Sequence, residues 1–570
     1  MKRWDKTLLM IYQVIVANIY QLIVGILLVL AMFFTCYIDI DEKTYFVVDS
    51  AGKNIISLIL LMIVLCLLSR STRIQEFCSK IESDGRLFRK CRRILLFTIF
   101  GISVFWLLAT QYTPGSDQVT LQNAVSYLRD QDYSLFAIDG YLSENVHQLG
   151  YVWICYMLSF IIGSQNYVAL QLLNAAGIVL FYSSLVSIGA HMKMSRVQQL
   201  AILCAGIFFF PLLMYSSFIY GNICGLAFSV AAIRKELDFF EKRKKTDLIL
   251  AAASMTLAII FKSNSLIFMI AMIILAIAES IHKRRILFLV IPVLLIVGFL
   301  IESNGIRTYF EKVSNTTLNG SSYWGYVAMG LQRAENKAPG WYNGYVYDSY
   351  VASGYNKEVQ ESMAKEEVRG LLKEFIMHPG DASVFFFEKT ASEWNNPTFQ
   401  CYNIIQWRDS RIERSDWALK FVSANGADTG TKYLDIIQFF LLTGAFFYCM
   451  LFWKERSFFV SLGLIIAFIG GFLFHLFWEA KGQYTLPYFS LLMPYAVAAY
   501  SKITALLGMV LKKQNGAGRI LMKYMRQSIV LIPSLLVILI CCGILFTGGR
   551  SKGLIKDTDI YYQYLEEQRE

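Results

Sequence analysis

Charge is scarce in this chain, and so are the residues that build most soluble active sites. Asp, Glu, Lys and Arg together make up 17% of the 570 residues, and the 5 histidines are scattered without a HExxH pair. That spacing is what one helix needs to hold zinc through two imidazoles, so a zincin is excluded. No CxxC knuckle occurs among the 11 cysteines, and Cys401 is the only clear one in the long polar segment 302–435. Neither a metal knuckle nor a disulfide framework is expected there. No GxxxxGK(S/T) or GxGxxG run appears, which argues against an ATP-driven machine.

What is present is apolar: 56% hydrophobic residues, 15% aromatic, and a mean hydropathy of +0.47. A soluble core cannot hide that much apolar surface, so the chain reads as an all-α polytopic membrane protein. Its net charge of +11 lies in short clusters between apolar spans. That is the positive-inside pattern, so the charge reports orientation and no nucleic-acid partner is expected.

The clusters set an expected topology. The first span, roughly Met10 to Tyr37, follows Lys2, Arg3 and Lys6, which puts the N-terminus in the cytoplasm. This span lacks a small-residue cleavage site and is too long for a signal-peptide core, so it is expected to remain as an anchor. A second span, Asn54 to Leu68, returns the chain to a basic inside loop from Arg70 to Arg93, and the third, Ile94 to Ala109, carries it out again. The run Tyr151 to Ile162 is too short to cross roughly 30 Å of hydrocarbon and reads as an outer juxtamembrane helix. Spans beginning near Tyr167, Leu200 and Gly221 follow, then Leu248–Phe261, Leu266–Ile281 and Ile286–Ile301. Four more, near Ile436–Trp453, Phe458–Phe477, Tyr488–Leu507 and Ile529–Leu545, bring the expected total to about thirteen. The resulting parts are a module 1–301 with an outer catalytic loop 112–165, a mainly helical external domain 302–435, the helices of 436–546 and an external tail 547–570.

Asp117 stands out on this map. It follows a span, in Gln111-Tyr112-Thr113-Pro114-Gly115-Ser116-Asp117-Gln118, and opens an amphipathic helix with Leu121, Ala124, Val125 and Leu128 on one face. Ser116 reads as its N-cap. Taken alone, Asp117 is a solvated loop acid; at a membrane surface it also suits chemistry on a lipid-borne substrate. It could hold Mg²⁺ or Mn²⁺, although one acid makes a thin site. Glu144, Asp130, Asp132 and Asp139 in the same loop read first as solvated charges. Lys262 lies in an outer hairpin, where it is either a snorkelling lysine or a phosphate ligand, with Arg307 and Lys312 as alternates. Glu479, Lys481 and Tyr484 crowd the outer end of a late span. An aromatic run from Tyr323 and Trp324 through Trp341, Tyr342 and Tyr345 divides between a lipid belt and stacking on sugar rings. Lys389 and Trp394 read as docking the external domain.

Several short pieces resemble the polytopic GT-C glycosyltransferases of the family-39, protein mannosyltransferase and aminoarabinose-transferase type. They are Pro114-Gly115-Ser116-Asp117-Gln118, then His147-Gln148-Leu149-Gly150-Tyr151 leading to Ile162-Gly163-Ser164-Gln165-Asn166. Phe261-Lys262-Ser263-Asn264 looks like that family's lysine-bearing outer hairpin. His475 through Pro487 looks like its late Glu…Arg-Tyr…Pro element, with Gln483 where the family commonly has arginine and Lys481 as the nearby cation. The resemblance implies a GT-C-like bundle in a bacterial-type plasma membrane. It implies transfer of a sugar from a polyprenyl-phosphate donor to an external glycan, lipid or protein acceptor. Asp117 would be the general base, Lys262 with Arg307 or Lys312 would hold the phosphate, and Glu479, Lys481, Tyr484, His147 and Trp341 would line the substrate site. His147 also has a purely structural reading. Two other functions stay open: a lipid-linked polysaccharide polymerase or ligase working through Arg307, Arg333 and Arg408, and a lipid-linked glycan flippase.

Overall fold

The computed structural model describes residues 3–333, 337–406, 410–512, 517–547 and 550–568; Arg408 lies outside them. The protein is an all-α polytopic bundle with one small addition. Among the described residues ten helices are long and apolar enough to cross a membrane, or twelve if two bent pairs each count as one span. The difference from thirteen has local causes. Lys245–Phe261 is a helix of only 17 residues, and Asn222–Lys242 carries too many charges in its last turns. Arg196–Phe208, the run near Leu200, has only 13 residues and meets Pro211–Ser217 at 64°. The Tyr151 run is not among the expected crossings, and Ser134–Glu144 and Val146–Ile162 meet there at 96°.

The first helix, Arg3–Phe33, is buried along one side. Its Tyr20, Val24 and Leu27 are buried, and it packs against Ala424–Phe452 and Arg456–Phe477. Other helices turn their apolar side chains outward. Leu60 and Leu67 of Ala51–Arg70 are 55% and 61% exposed, and Phe97 of Gly85–Thr110 is 74% exposed. So large an apolar surface is stable only against lipid.

Several boundaries differ from the sequence reading: the span expected from Ile436 starts at Ala424, within the segment 302–435, and the one expected from Tyr488 starts at Gly482. The first span ends at Phe33, because Phe34–Ile38 and Thr44–Val48 pair as an antiparallel hairpin, the one departure from an all-helical fold among the described residues. Both stretches are β-branched or aromatic, which favours a strand over a continued helix. Asp39 closes the turn, accepting from the Asp41 and Lys43 amides at 2.9 Å each. The helix expected to end at Ile301 runs on from Val290 to Ser314. The tail forms a helix, Arg550–Glu567, whose Tyr561 packs on Tyr37 and Tyr45 of the hairpin and donates to Asp428 at 3.1 Å.

Candidate active site

Three glycines bring the chain segments of the site together. Lys262 follows the helix Lys245–Phe261 in extended conformation. A Cβ on Gly221 would lie 2.0 Å from the Phe261 carbonyl oxygen, and Gly221 itself has φ +80°, a region that only glycine enters cheaply. Added at Gly150, a Cβ would sit 2.6 Å from the Ile260 oxygen, and at Gly225, 2.9 Å from the Cβ of Lys262. The starts of two helices, Leu149–Ile162 and Asn222–Lys242, therefore press backbone to backbone on the end of a third. Tyr220 comes to lie beneath Lys262, whose Nζ is 3.8 Å from the ring centroid.

Gln118 locks the acid to the same turn. Buried in the first turn of Asp117–Arg129, it donates to the Tyr112 hydroxyl at 2.8 Å and accepts the Ile219 amide at 2.9 Å. Asp117 is exposed beside it, and its Oδ2 accepts a hydrogen bond from the Tyr220 hydroxyl at 3.3 Å. Gln148 Nε2 donates to that same hydroxyl at 2.6 Å. The helix starts at Asp117, so its N-terminal dipole favours the carboxylate. The Ser116 hydroxyl makes no capping bond; its carbonyl accepts the Val119 amide at 2.9 Å.

Two more acids and a second lysine share the field. Burial, followed by the Asp117 charge, pushes Glu144 up to about 7. Burial also raises Glu479, against the pull of Lys481. Burial lowers Lys262 to about 7, with Asp117 and Glu479 opposing the shift. Among the described residues, the Lys262 ammonium has no hydrogen bond or ion pair. Lys481 differs: its Nζ is 3.3 Å from Glu42, which also meets Lys337 at 2.8 Å. Burial works to raise Glu42, but the two lysines outweigh it and the net shift is downward.

The loop carrying Glu479 and Lys481 is held from below. Lys389, fully buried, donates to the carbonyls of Gly330 and Trp478. This ties Pro379–Trp394 to the loop, the docking contact expected of Lys389. Burial lowers its pKa to about 8. Tyr326 lies flat on Trp478, with centroids 5.0 Å apart and planes 6° apart, and donates to Asn145 at 3.2 Å. Tyr342 is 51% exposed, with the charges of Glu144, Glu479 and Asp117 around its hydroxyl. Tyr484 and Lys262 line a cleft with Asn222, Asn264 and Pro487.

The remaining expected residues are spread differently. His147 is at the site: its Nε2 is 3.2 Å from Gln148, and burial and then the Lys262 charge lower it to about 3, so the ring is neutral. Trp341 is fully buried with its indole donating to Ser392 at 3.0 Å, so no ring face is open to a sugar. Arg307 is committed to Glu311 at 3.0 Å and Asn319 at 3.3 Å. Lys312 lines a separate groove on its helix with Ile301 and Thr308. Neither Arg307 nor Lys312 contacts Asp117 or Lys262. Among the described residues, no three His, Cys, Asp or Glu side chains converge as a metal-holding group. Tyr220 and Glu42 went unnoticed in the sequence. Tyr220 had only its neighbour Gly221 as a signal, and Glu42, in the turn of the hairpin, had none.

Compared with known proteins, the chain matches no protein-family model, no curated protein and no solved structure.

Proposed function

We propose that this protein is a membrane glycosyltransferase of the GT-C kind. It would take a sugar from a polyprenyl-phosphate donor and pass it to an acceptor hydroxyl of a cell-envelope glycan, lipid or protein. The observation that carries the reading is one arrangement. A lysine ammonium without an ionic partner among the described residues sits on the ring of Tyr220, and the hydroxyl of that tyrosine is bonded to an exposed carboxylate. Phosphoryl-linked sugar transfer needs such a pair, a cation for the leaving phosphate and a base for the attacking hydroxyl.

In this reading the acceptor oxygen attacks the anomeric carbon while Asp117 takes its proton. The carbon–oxygen bond to phosphate breaks, and the phosphate leaves with the electron pair onto Lys262. The apolar surroundings of the cleft suit the first isoprene units, and a position just outside the hydrocarbon keeps both the carrier and a polar acceptor within reach. The N-terminus would then be cytoplasmic and the site on the outer face of the plasma membrane.

The test is binding of polyprenyl phosphate without sugar to detergent-purified protein. Wild type should bind it, and Lys262→Gln should bind about tenfold or more weakly, the worth of one charge-assisted contact. Equal affinity would remove Lys262 from the phosphate.

A lipid-linked glycan flippase is the second reading, favoured by a separate observation. Glu236 is fully buried, with both carboxyl oxygens unpartnered among the described residues, and Glu279, also buried, lies close enough for their charges to interact. Acids buried inside a helical bundle commonly mark transport paths. Loss of lipid-linked glycan translocation in liposomes by Glu236→Gln, with sugar transfer absent, would favour this reading.

A further inference from the structure

Tyr220 touches both halves of the site. Its hydroxyl accepts from Gln148 Nε2 at 2.6 Å and faces Asp117 Oδ2 at 3.3 Å. An amide N–H can only donate and a carboxylate can only accept, and the Tyr141 hydroxyl, which also bonds to that of Tyr220, can donate to its second lone pair; the single phenolic proton therefore goes to Asp117. That occupies Oδ2 and leaves Oδ1 open to a proton from outside. The ring of Tyr220 carries the other half, with Lys262 Nζ 3.8 Å from its centroid. At this distance, and with partial desolvation, the ring quadrupole attracts the ammonium and not the neutral amine. The ring is itself fixed, since Tyr220 is only 7% exposed and the next residue, Gly221, lies against the Phe261 carbonyl. Titratable groups reach the lysine from several elements: the charged Asp117 from its helix and Glu479 from the late loop, and the neutral His147 from the turn before Leu149–Ile162.

We propose that Tyr220 is the positioning residue of this site: its hydroxyl sets the rotation of the Asp117 carboxylate, and its ring face seats the Lys262 ammonium. Acid and cation are thereby held at one spacing, across which the sugar passes. A lysine seated on a ring keeps its three N–H donors free for phosphate oxygens, which an ion-paired lysine such as Lys481 does not. The kinetic consequence rests on the transferase reading; the seating of the lysine does not.

Two variants separate the contacts. Tyr220→Phe keeps the ring and loses the hydroxyl, whereas Tyr220→Leu loses both. In sugar-transfer assays the phenylalanine variant should lose roughly ten- to a hundredfold in kcat, as expected for a misaligned base, with donor KM unchanged. The leucine variant should in addition raise donor KM by about three- to tenfold, the range of one cation–π contact. A tyrosine that only supported the fold would lower the yield of folded protein without dividing KM from kcat in this way.

A second arm needs no turnover. Acetic anhydride at pH 7 acylates the neutral amine, and peptide mass spectrometry reads Lys262 alone. The lysine should acylate about threefold or more faster in Tyr220→Leu, which has lost the ring that favours the ammonium, and at the wild-type rate in Tyr220→Phe. Equal rates in all three would overturn the seating. Should the leucine variant not fold, an unchanged kcat in the phenylalanine variant still overturns the role given to the hydroxyl. Split acylation rates without any transfer by wild type would reject the transferase and leave the positioning role standing.

Discussion

Gly221→Ala is the sharpest perturbation of the site that removes no functional group. The added methyl would stand 2.0 Å from the Phe261 oxygen and 3.0 Å from the Tyr151 ring, at a residue with φ +80°. Contacts under 3.0 Å between Cβ and backbone are essentially never tolerated, so the two segments must separate by about 1 Å. The left-handed conformation costs an L-residue about 1–2 kcal/mol, and overpacking a tight contact adds about 1–3 kcal/mol. A loss of about 2–5 kcal/mol follows, enough to lower the thermal midpoint in detergent by several degrees. The functional loss should be larger than the stability loss suggests, because the parting segments carry Tyr220 and Lys262. A 1 Å misplacement near reacting groups can cost about a hundredfold in rate. Gly305→Ala is the matched control, since nothing lies within 4 Å of its Cβ position and it sits inside the helix Val290–Ser314. It should be neutral or stabilise by about 0.5–1 kcal/mol. Thermal unfolding and Lys262 acylation measured on both variants decide the matter. If Gly221→Ala matches wild type in midpoint and in acylation rate, the backbone packing that positions the lysine is not as described.

Four further outcomes are expected. Binding of polyprenyl phosphate should weaken as pH rises above about 7, where the unoccupied Lys262 loses its proton, and this dependence should disappear in Lys262→Gln. Glu144 is raised to about 7, so the folded state binds its proton more tightly than the unfolded chain. The stability from this group is therefore complete below the ordinary carboxylate range and is lost as pH rises through 7; urea unfolding of Glu144→Gln should lack that slope. Lys389, lowered to about 8 from 10.5, releases its proton earlier in the folded state, so stability should rise with pH between those values in wild type and not in Lys389→Met. Trp341→Phe should cost about 1 kcal/mol by leaving Ser392 without its indole donor, while sugar transfer stays unchanged, as measured by unfolding and activity together.

The sequence was legible where the physics is one-dimensional. Runs of apolar residues and basic clusters marked most of the helices, because burial in lipid depends on length and composition rather than on partners. Segments that this reading puts on one face also make contact: Arg196 and its neighbour Val197 donate to Glu82 of the basic loop, and Asp117 meets Tyr220, whose ring carries Lys262. What stayed hidden depends on packing between distant segments. Pairing of Phe34–Ile38 with Thr44–Val48 competes with helix continuation only once the hairpin closes and Tyr561 covers it. Trp341 and Tyr342 are adjacent aromatics in one run, yet one is fully buried and the other is half exposed in the field of four carboxylates. No periodicity separates them, because the difference lies in which helix, here Pro379–Trp394, covers the first. Tyr220 escaped for the same reason: its importance comes from three glycines in two segments that close on the end of a third.

The most direct test of the central claim is sugar transfer in membranes from a panel of labelled polyprenyl-phosphate hexoses, comparing wild type with Asp117→Asn at equal expression. The account predicts transfer by wild type from at least one donor and a loss of about a hundredfold or more in the variant, the worth of a positioned general base. Equal transfer by both proteins would contradict the role of Asp117, and failure of wild type with every donor, in membranes supplying the native acceptor, would contradict the transferase itself.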